Sequence, residues 1–307
     1  MTNGITLYSG GNSEDISNVL EFSFYKEMYT PYTQLSVSFI ANNISPADAK
    51  GVRLWVNGVN VHHGFIDSFR IVSENGVRKG YIRSRGFTAQ YTENQLVPGL
   101  YTRVTINDLL DNHITIPYVT HESNTSESYI YVKSGSNIWD GVVNIAYKLL
   151  GKYPYIRGTN CVMFSRSSDA KVVDYTNSSL LADGSELDTR KAASFFSMAD
   201  ISDQYGSYTA SETLATDRDI VRERYFELDR RFLYDPQQGV DFRDKMSVRG
   251  IQNRFVTYNG YRSEDILDVA RFGDNTRDIT SVRISGKSSG IFTTVGMYSD
   301  RFVNTAV

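Results

Sequence analysis

The chain is poor in the residues from which most metal and nucleophilic centres are built: its 307 residues include one cysteine and four histidines. A single cysteine, Cys161 in TNCVMF, permits no intrachain disulfide. The fold is therefore expected to stand on packing alone, after synthesis in a reducing cytoplasm. Long hydrophobic runs are also missing. No stretch approaches the roughly 20 apolar residues that cross a bilayer, and the opening MTNGITLYSGG has neither the basic flank nor the apolar centre of an export signal. Neither export nor membrane insertion is expected. Excess charge of one sign is absent too: a net charge of -3 provides no global basic field for nucleic acid and no acidic disordered tail. Any charged contact surface must be local.

What remains is a chain long enough for two or three domains and a substantial core. A hydrophobic fraction of 40% and a charged fraction of 22% fit an ordinary globular protein. The 21 tyrosines and 16 phenylalanines favour strands or broad contact surfaces.

Through the first 95 or so residues the dominant hydrophobic period is two. In QLSVSFIAN, 34–42, Leu35, Val37 and Phe39 alternate with Ser36 and Ser38, the pattern of a half-buried strand. Two hairpins follow, each with an Asn-Gly turn suited to the positive backbone angles of a type I′ connection. The first joins VRLWV to VNVHH across Asn57 and Gly58. A two-residue loop sets Val56 against Val59, Leu54 against Val61 and Val52 against His63 on an apolar surface, with Arg53, Trp55, Asn60 and His62 on the other. The second joins FIDSFRIVSE to VRKGYIRSRG across Asn75 and Gly76. Its register places Phe69, Ile71 and Ile82 on one face and Arg70, Lys79, Tyr81, Arg83 and Arg85 on the other. Residues 1–95 read as a small antiparallel barrel or sandwich carrying a basic stripe.

The middle of the chain changes character. TINDLLDNHI, 105–114, reads as a helix capped by Thr105, and SNIWDGVVNIAYKLLG, 136–151, as a helix from Ser136 to Gly151 with Ile138, Val142, Ile145 and Leu149 on one face. Between them ESNTSES reads as a loop entering the strand YIYVK. Residues 96–168 are expected to form a small mixed α/β domain. From 169 to 307 a second β region is expected, with a helical insert at about 187–233. AKVVDYT reads as a strand and KAASFFSMAD as a helix. TDRDIVRERYFELDRRFL, 216–233, carries Val221, Tyr225, Leu228 and Phe232 at helical spacing, with Thr216 and Asp219 as a capping box variant. Its charges balance, as on a solvated helix face. The tail, with RFVTYNG, DITSVRISG and GIFTTVGMYS, returns to short strands.

Tests for chemistry find little. Successive strand side chains point to opposite faces, so His62 and His63 cannot share one ion while the strand stays regular; one ring is expected toward the core and the other away. His113 and His121 have no HExxH spacing and no second cysteine to complete a metal site. GKSSG, 286–290, lacks the upstream glycine of a phosphate-binding loop, since position 281 is serine, and reads as a hairpin turn. No GxSxG elbow is present, and Cys161 sits in an apolar strand-like context that favours an inert buried thiol. Carboxylate pairs for sugar cleavage are set in space and have no fixed spacing in sequence. No catalytic, cofactor or metal residues are assigned, and no enzyme activity is expected. The stripe of Arg70, Lys79, Tyr81, Arg83 and Arg85 is the one candidate surface: a solvated strand face or, beyond that, an assembly contact. Contact with passing nucleic acid is weaker, because aromatic interleaving is limited to Tyr81.

The order of features has a precedent. GVRLWVNGVNVHHGFIDSF, a second hairpin ending YIRSRGFTAQYTENQLVPG, the short TINDLLDN and then SGSNIWDGVVNIAYKLLG resemble the baseplate hub proteins of phage tails and related contractile injection particles. The matching positions are Asn57, Gly58, Gly64, Arg85, Gly86, Leu96, Val97, Pro98 and Gly99, and the closing GIFTTVGM, 290–297, resembles the last strand of such hubs. The resemblance covers most of 30–150 and the last 20 residues, and 170–250 departs from it. It implies an α+β, strand-dominated fold with two tube-like antiparallel barrels and a mixed α/β insert. It also implies a non-catalytic homotrimer that joins a sixfold tail tube to a threefold central spike. The implied partners are the tail tube, spike, baseplate wedge and tape-measure proteins, with nucleic acid at most passing through the lumen, and the implied location is the baseplate of a virion or phage-tail-like particle. Two rival readings stand beside it. One is a receptor- or glycan-binding tail protein, using Trp55, Tyr81 and Tyr101; the other is a tail-associated cell-wall hydrolase.

Overall fold

The computed structural model describes residues 4–9, 12–41, 49–299 and 302; Asn42 at the end of the first strand motif and 303–307 beyond the closing motif lie outside them. The first part of the chain supplies β1 (Gly4–Ser9), β2 (Asn12–Asp15), β3 (Val19–Glu27), β4 (Gln34–Ile40), β5 (Gly51–Val56), β6 (Val59–Glu74) and β7 (Val77–Gly86). The middle supplies α1 (Gln90–Glu93), β8 (Gly99–Val104), β9 (Thr120–His121), β10 (Ser128–Val132), α2 (Ile138–Leu150), β11 (Tyr155–Arg157) and β12 (Cys161–Met163). Then come β13 (Val172–Asp174), β14 (Leu180–Leu187), β15 (Phe195–Met198), β16 (Tyr208–Ser211), α3 (Thr213–Thr216), β17 (Glu223–Phe226) and α4 (Pro236–Val248). The chain returns to sheet in β18 (Gln252–Asn259), β19 (Val269–Phe272), β20 (Asn275–Asp278), β21 (Ser281–Lys287) and β22 (Gly290–Tyr298). The strand-dominated α+β class expected from the sequence holds.

The strands assigned to two barrels are joined. One 11-stranded sheet runs β14-β18-β22-β21-β3-β4-β7-β6-β5-β1-β2, and its two halves meet where β21 pairs with β3, Ile284 opposite Phe24. A flat sheet of that width would span roughly 48 Å at the usual strand spacing. Instead Ile5, Phe24, Val37, Leu54, Ile82, Val256, Ile284 and Val295 share one hydrophobic cluster, so the sheet curls around a common core. A second cluster gathers Phe87, Leu96, Ile106, Ile130, Ile138, Val142, Ile145 and Phe164 from the middle of the chain. Where β3, the turn after β11 and the loop at 263–268 meet, charge replaces apolar packing. The buried Lys26 ammonium pairs with Asp265 and donates to Gly158 O at 2.7 Å, while the Arg157 guanidinium reaches Asp169, Asp268 and Ile266 O at 2.7, 3.0 and 2.9 Å.

Both Asn-Gly turns form, with Asn57 and Asn75 at φ 51° followed by glycines at 80° and 79°. The second hairpin keeps its expected register, with Phe69 opposite Ile82 and Arg70 opposite Tyr81. The first does not. Val56 faces Val59, but a bulge between Leu54 and Trp55 moves His62 opposite Leu54 and His63 opposite Arg53. An extra residue in one strand shifts every pair beyond it. His62, not His63, therefore enters the core, and His63 points away only to be covered by the middle region, where Phe87 and Tyr118 pack against it at centroid distances of 5.2 and 4.6 Å. Both rings are buried.

The hydrogen bonds fix the tautomer of His62. Ser84 Oγ spends its one proton on Phe65 O at 2.6 Å, so it accepts from His62 Nε2–H at 2.8 Å, which leaves Nδ1 to accept from Thr33 Oγ1 at 2.8 Å. Burial, with His63 adding to it, lowers the His62 pKa to about 3.

The helices divide into those with caps and those without. The second one in the chain is α2, with Asn137 rather than Ser136 as N-cap in a capping box with Asp140, and Gly151 closing it at φ 66°. Thr105 caps as expected by exchanging bonds with Asp108, although 108–112 winds as a π-helical turn. No helix spans 216–233. Thr216 ends the one-turn α3, which Glu212 caps, Asp219 takes a left-handed φ of 55°, and β17 follows. The apolar residues of that stretch do not form a stripe: Val221 is 88% exposed and Phe232 1%. The helix expected in KAASFFSMAD is also replaced, by β15, the centre of a three-stranded sheet β16-β15-β17. The insert is thus a sheet, backed by α4, in which Val240 packs on Phe196 and Met198. Cys161 lies in β12, half-buried, with Met163 Sδ at 3.6 Å.

Candidate assembly surface

The five residues of the basic stripe lie on the outer face of the β6–β7 hairpin, because Phe69, Ile71 and Ile82, which alternate with them along the two strands, turn toward the core. They differ in what they touch. Arg70 is exposed and lies over the Tyr81 ring at 5.0 Å. Arg83 is exposed between Ser36 and Ser68 of the neighbouring strands. Lys79 pairs with Glu74 at 3.2 Å. Arg85 is not an available charge: it holds Asp67 with two bonds, reaches Glu93 of α1 at 2.5 Å, and lies against Tyr32 and Phe65. The Asp67 hydrogen bond, opposed by burial and aided by Glu93, raises its pKa further above the usual arginine range. Arg85 clips the barrel to the chain that leaves it, and the outward charge of the hairpin rests on Arg70 and Arg83.

Two glycines of the motif meet at the base of this hairpin. Gly64 stands opposite Gly86. A Cβ on Gly64 would lie 2.1 Å from Arg85 O, and one on Gly86 would lie 2.8 Å from Thr33 Oγ1. Close strand approach excludes any side chain there. Asn160 of the middle region closes over the same spot, donating to His63 O at 2.8 Å and accepting from Thr88 N at 3.4 Å.

Two features went unread in the sequence. The outer face of β3, β21, β22 and β18 forms a groove of about 630 Å³ lined by Tyr25, Glu27, Asn253, Phe255, Arg283 and Tyr298. Its signal was the run of alternate polar residues on these strands, but their adjacency depends on the β3·β21 pairing of distant segments. The sheet also has open edges. Among the described residues β14 pairs only with β18 and β2 only with β1. β6 runs on past β5, which pairs with it only as far as Phe65. The residues named for glycan contact do not gather in one place. Trp55 is on β5, Tyr81 lies under Arg70, and Tyr101 on β8 donates its hydroxyl to Val97 O at 2.8 Å. Among the described residues no group of three or more His, Cys, Asp or Glu could hold a metal, and no helix is long and apolar enough to cross a membrane.

A curled sheet built from both ends of the chain, with a mixed α/β region hung on one side, is a fold this chain shares with solved tail proteins, in line with the resemblance in the sequence. A tail protein from Neisseria meningitidis MC58 superposes with a TM-score of 0.75 at 13% identity, over 98% of this chain and 97% of that one. The 43 kDa tail protein of prophage MuSo2 from Shewanella oneidensis gives 0.75 at 13% over 96% and 98%. The E. coli c3393 protein, a type VI secretion component structurally similar to the T4 tail proteins gp27 and gp5, gives 0.57 at 10% over 93% and 75%. No protein-family model matches the sequence, and no curated protein matches it at a significant level.

Proposed function

We propose that this chain is a structural hub of a phage-tail or phage-tail-like baseplate. In this reading it is a non-catalytic homotrimer that adapts a sixfold tail tube to a threefold central spike, with tube, spike, wedge and tape-measure proteins as neighbours. The observation that carries the reading is that two tail proteins match it over nearly the whole length of both aligned chains. The similarity of the E. coli relative to gp27 and gp5 supports the hub position within the tail. Open sheet edges support assembly, since long edges in a stable particle are paired or covered. Light scattering at high protein concentration tests the proposal. A mass of three chains is expected, and a stable dimer or a persistent monomer would overturn it.

A further inference from the structure

We propose that the trimer closes by adding strand β14 of one copy to the free edge of β6 in the next. The idea rests on the homotrimeric reading above and assigns its interface. Beyond Phe65, the nine residues Ile66–Glu74 of β6 have β7 on one side and, among the described residues, no backbone partner on the other. β14 offers eight residues, Leu180–Leu187, with β18 on one side and, among the described residues, an open edge on the other. The two edges match in length, and each holds the row of N–H and C=O groups the other lacks.

Their side chains match as well. On the β6–β7 hairpin, residues 66–85 hold Arg70, Arg78, Lys79, Arg83 and Arg85 against Asp67 and Glu74. Residues 180–188 hold Asp183, Glu186 and Asp188 and no cation. Asp183 is engaged by Arg254 and Asp188 by Arg190, whereas exposed Glu186 enters no ion pair among the described residues. It is the carboxylate available to Arg70 and Arg83, which are likewise exposed and enter none. Leu181 and Leu187, 55% and 57% exposed near either end of β14, gain cover in the same contact. Joining two different edges is a heterologous contact, which repeats around a ring and closes when the rotation allows. The second copy is thus the occupant that fits both edges at once. β2, with four residues, is too short to cover the β6 edge.

Charge reversal with rescue tests this in the full chain. Arg70→Glu with Arg83→Glu, and separately Glu186→Arg, are expected to weaken trimer association by about tenfold or more, because like charges then face each other. Combining all three is expected to restore it. Thermal melting of the monomer checks that each variant folds. A trimer indifferent to either reversal overturns the edge pairing and leaves the trimeric hub standing. Loss on the β6 side that Glu186→Arg does not rescue removes β14 as the occupant. A wild-type chain that never trimerises overturns both proposals.

Discussion

Replacing Gly64 with alanine is expected to cost far more than a methyl group usually does. The new Cβ would sit 2.1 Å from Arg85 O and 2.7 Å from Arg85 C, both backbone atoms of the paired strand β7. Normal carbon–oxygen contact begins near 3.2 Å, so the strands must part by about 1 Å at a point where Gly86 lies directly opposite. The third neighbour is His62 Nε2 at 2.7 Å. Moving that ring breaks its bond to Ser84 in a fully buried site. Overpacking costs about 1–3 kcal/mol and a stranded buried polar group about 1–3 kcal/mol more. A loss of about 3 kcal/mol or more follows, or about 6 °C in melting temperature for a chain of this size. Gly4→Ala is the control, since a Cβ there meets nothing within 4 Å, and it should change stability by less than about 0.5 kcal/mol. Urea unfolding of both variants against wild type measures the difference. A Gly64→Ala protein that unfolds at the wild-type midpoint would refute the close-approach argument.

Four further outcomes follow from named contacts. Burial, with Arg53 adding to it, lowers the His63 pKa to about 4 from an ordinary 6.5. The neutral ring therefore contributes stability that is full above pH 6.5 and lost as pH falls toward 4, and His62 acts in the same direction. Its Nε2 has no partner among Tyr8, Phe87, Tyr118 and Arg53, so His63→Phe should be near neutral at pH 7 but more stable than wild type by on the order of 2 kcal/mol at pH 4.5, read by urea melts at both pH values. Asp265→Asn leaves the buried Lys26 without its counter-ion and should cost about 3–5 kcal/mol in equilibrium unfolding. Arg85→Ala, which removes partly exposed ion pairs to Asp67 and Glu93 and the contacts with Tyr32 and Phe65, should cost about 1–2 kcal/mol by the same measurement. Asp235→Ala, which removes the cap bond to Gln238 N at 3.1 Å, should cost about 1 kcal/mol and raise hydrogen exchange in the first turn of α4.

The elements legible in the sequence are those whose signal is local. Asn57-Gly58 and Asn75-Gly76 make their turns wherever they stand, and α2 announces itself by its cap, its apolar face and its terminal glycine. The misreadings arise where the deciding partner is distant. Val221, Tyr225, Leu228 and Phe232 have helical spacing, but β15 recruits Glu223–Phe226 as a parallel strand, and parallel pairing leaves no local mark. In contrast, α4 has a low apolar periodicity, with Gln237, Asp241, Arg243 and Lys245 among its residues, yet Asp235-Pro236 is a cap followed by proline at the first helical position. Reading caps before periodicity would have found it. The bulge that put His62 rather than His63 into the core has no composition of its own. Of the candidate surface, the charges were legible. Which of them are already spent was not, because Glu93 reaches Arg85 only after the chain turns through Phe87–Ala89.

The fold is shared with two tail proteins at 13% identity, so most side chains differ between them. In this chain the fold rests on glycines at 64 and 86 where two strands touch, strand alternation around one core, and positive-φ residues at the hairpin turns. None of them carries charge. The charged groups of the proposed contact, Arg70 on the edge strand β6, Arg83 one strand in on β7 and Glu186 on β14, contribute little to holding the chain together, since none forms an ion pair within it among the described residues. Exposed charges of this sort set which surface meets which and how fast, more than they set stability. Fold and assembly are therefore written in separate residues, and reversing the edge charges should change the oligomer while leaving the melting of the monomer where it was.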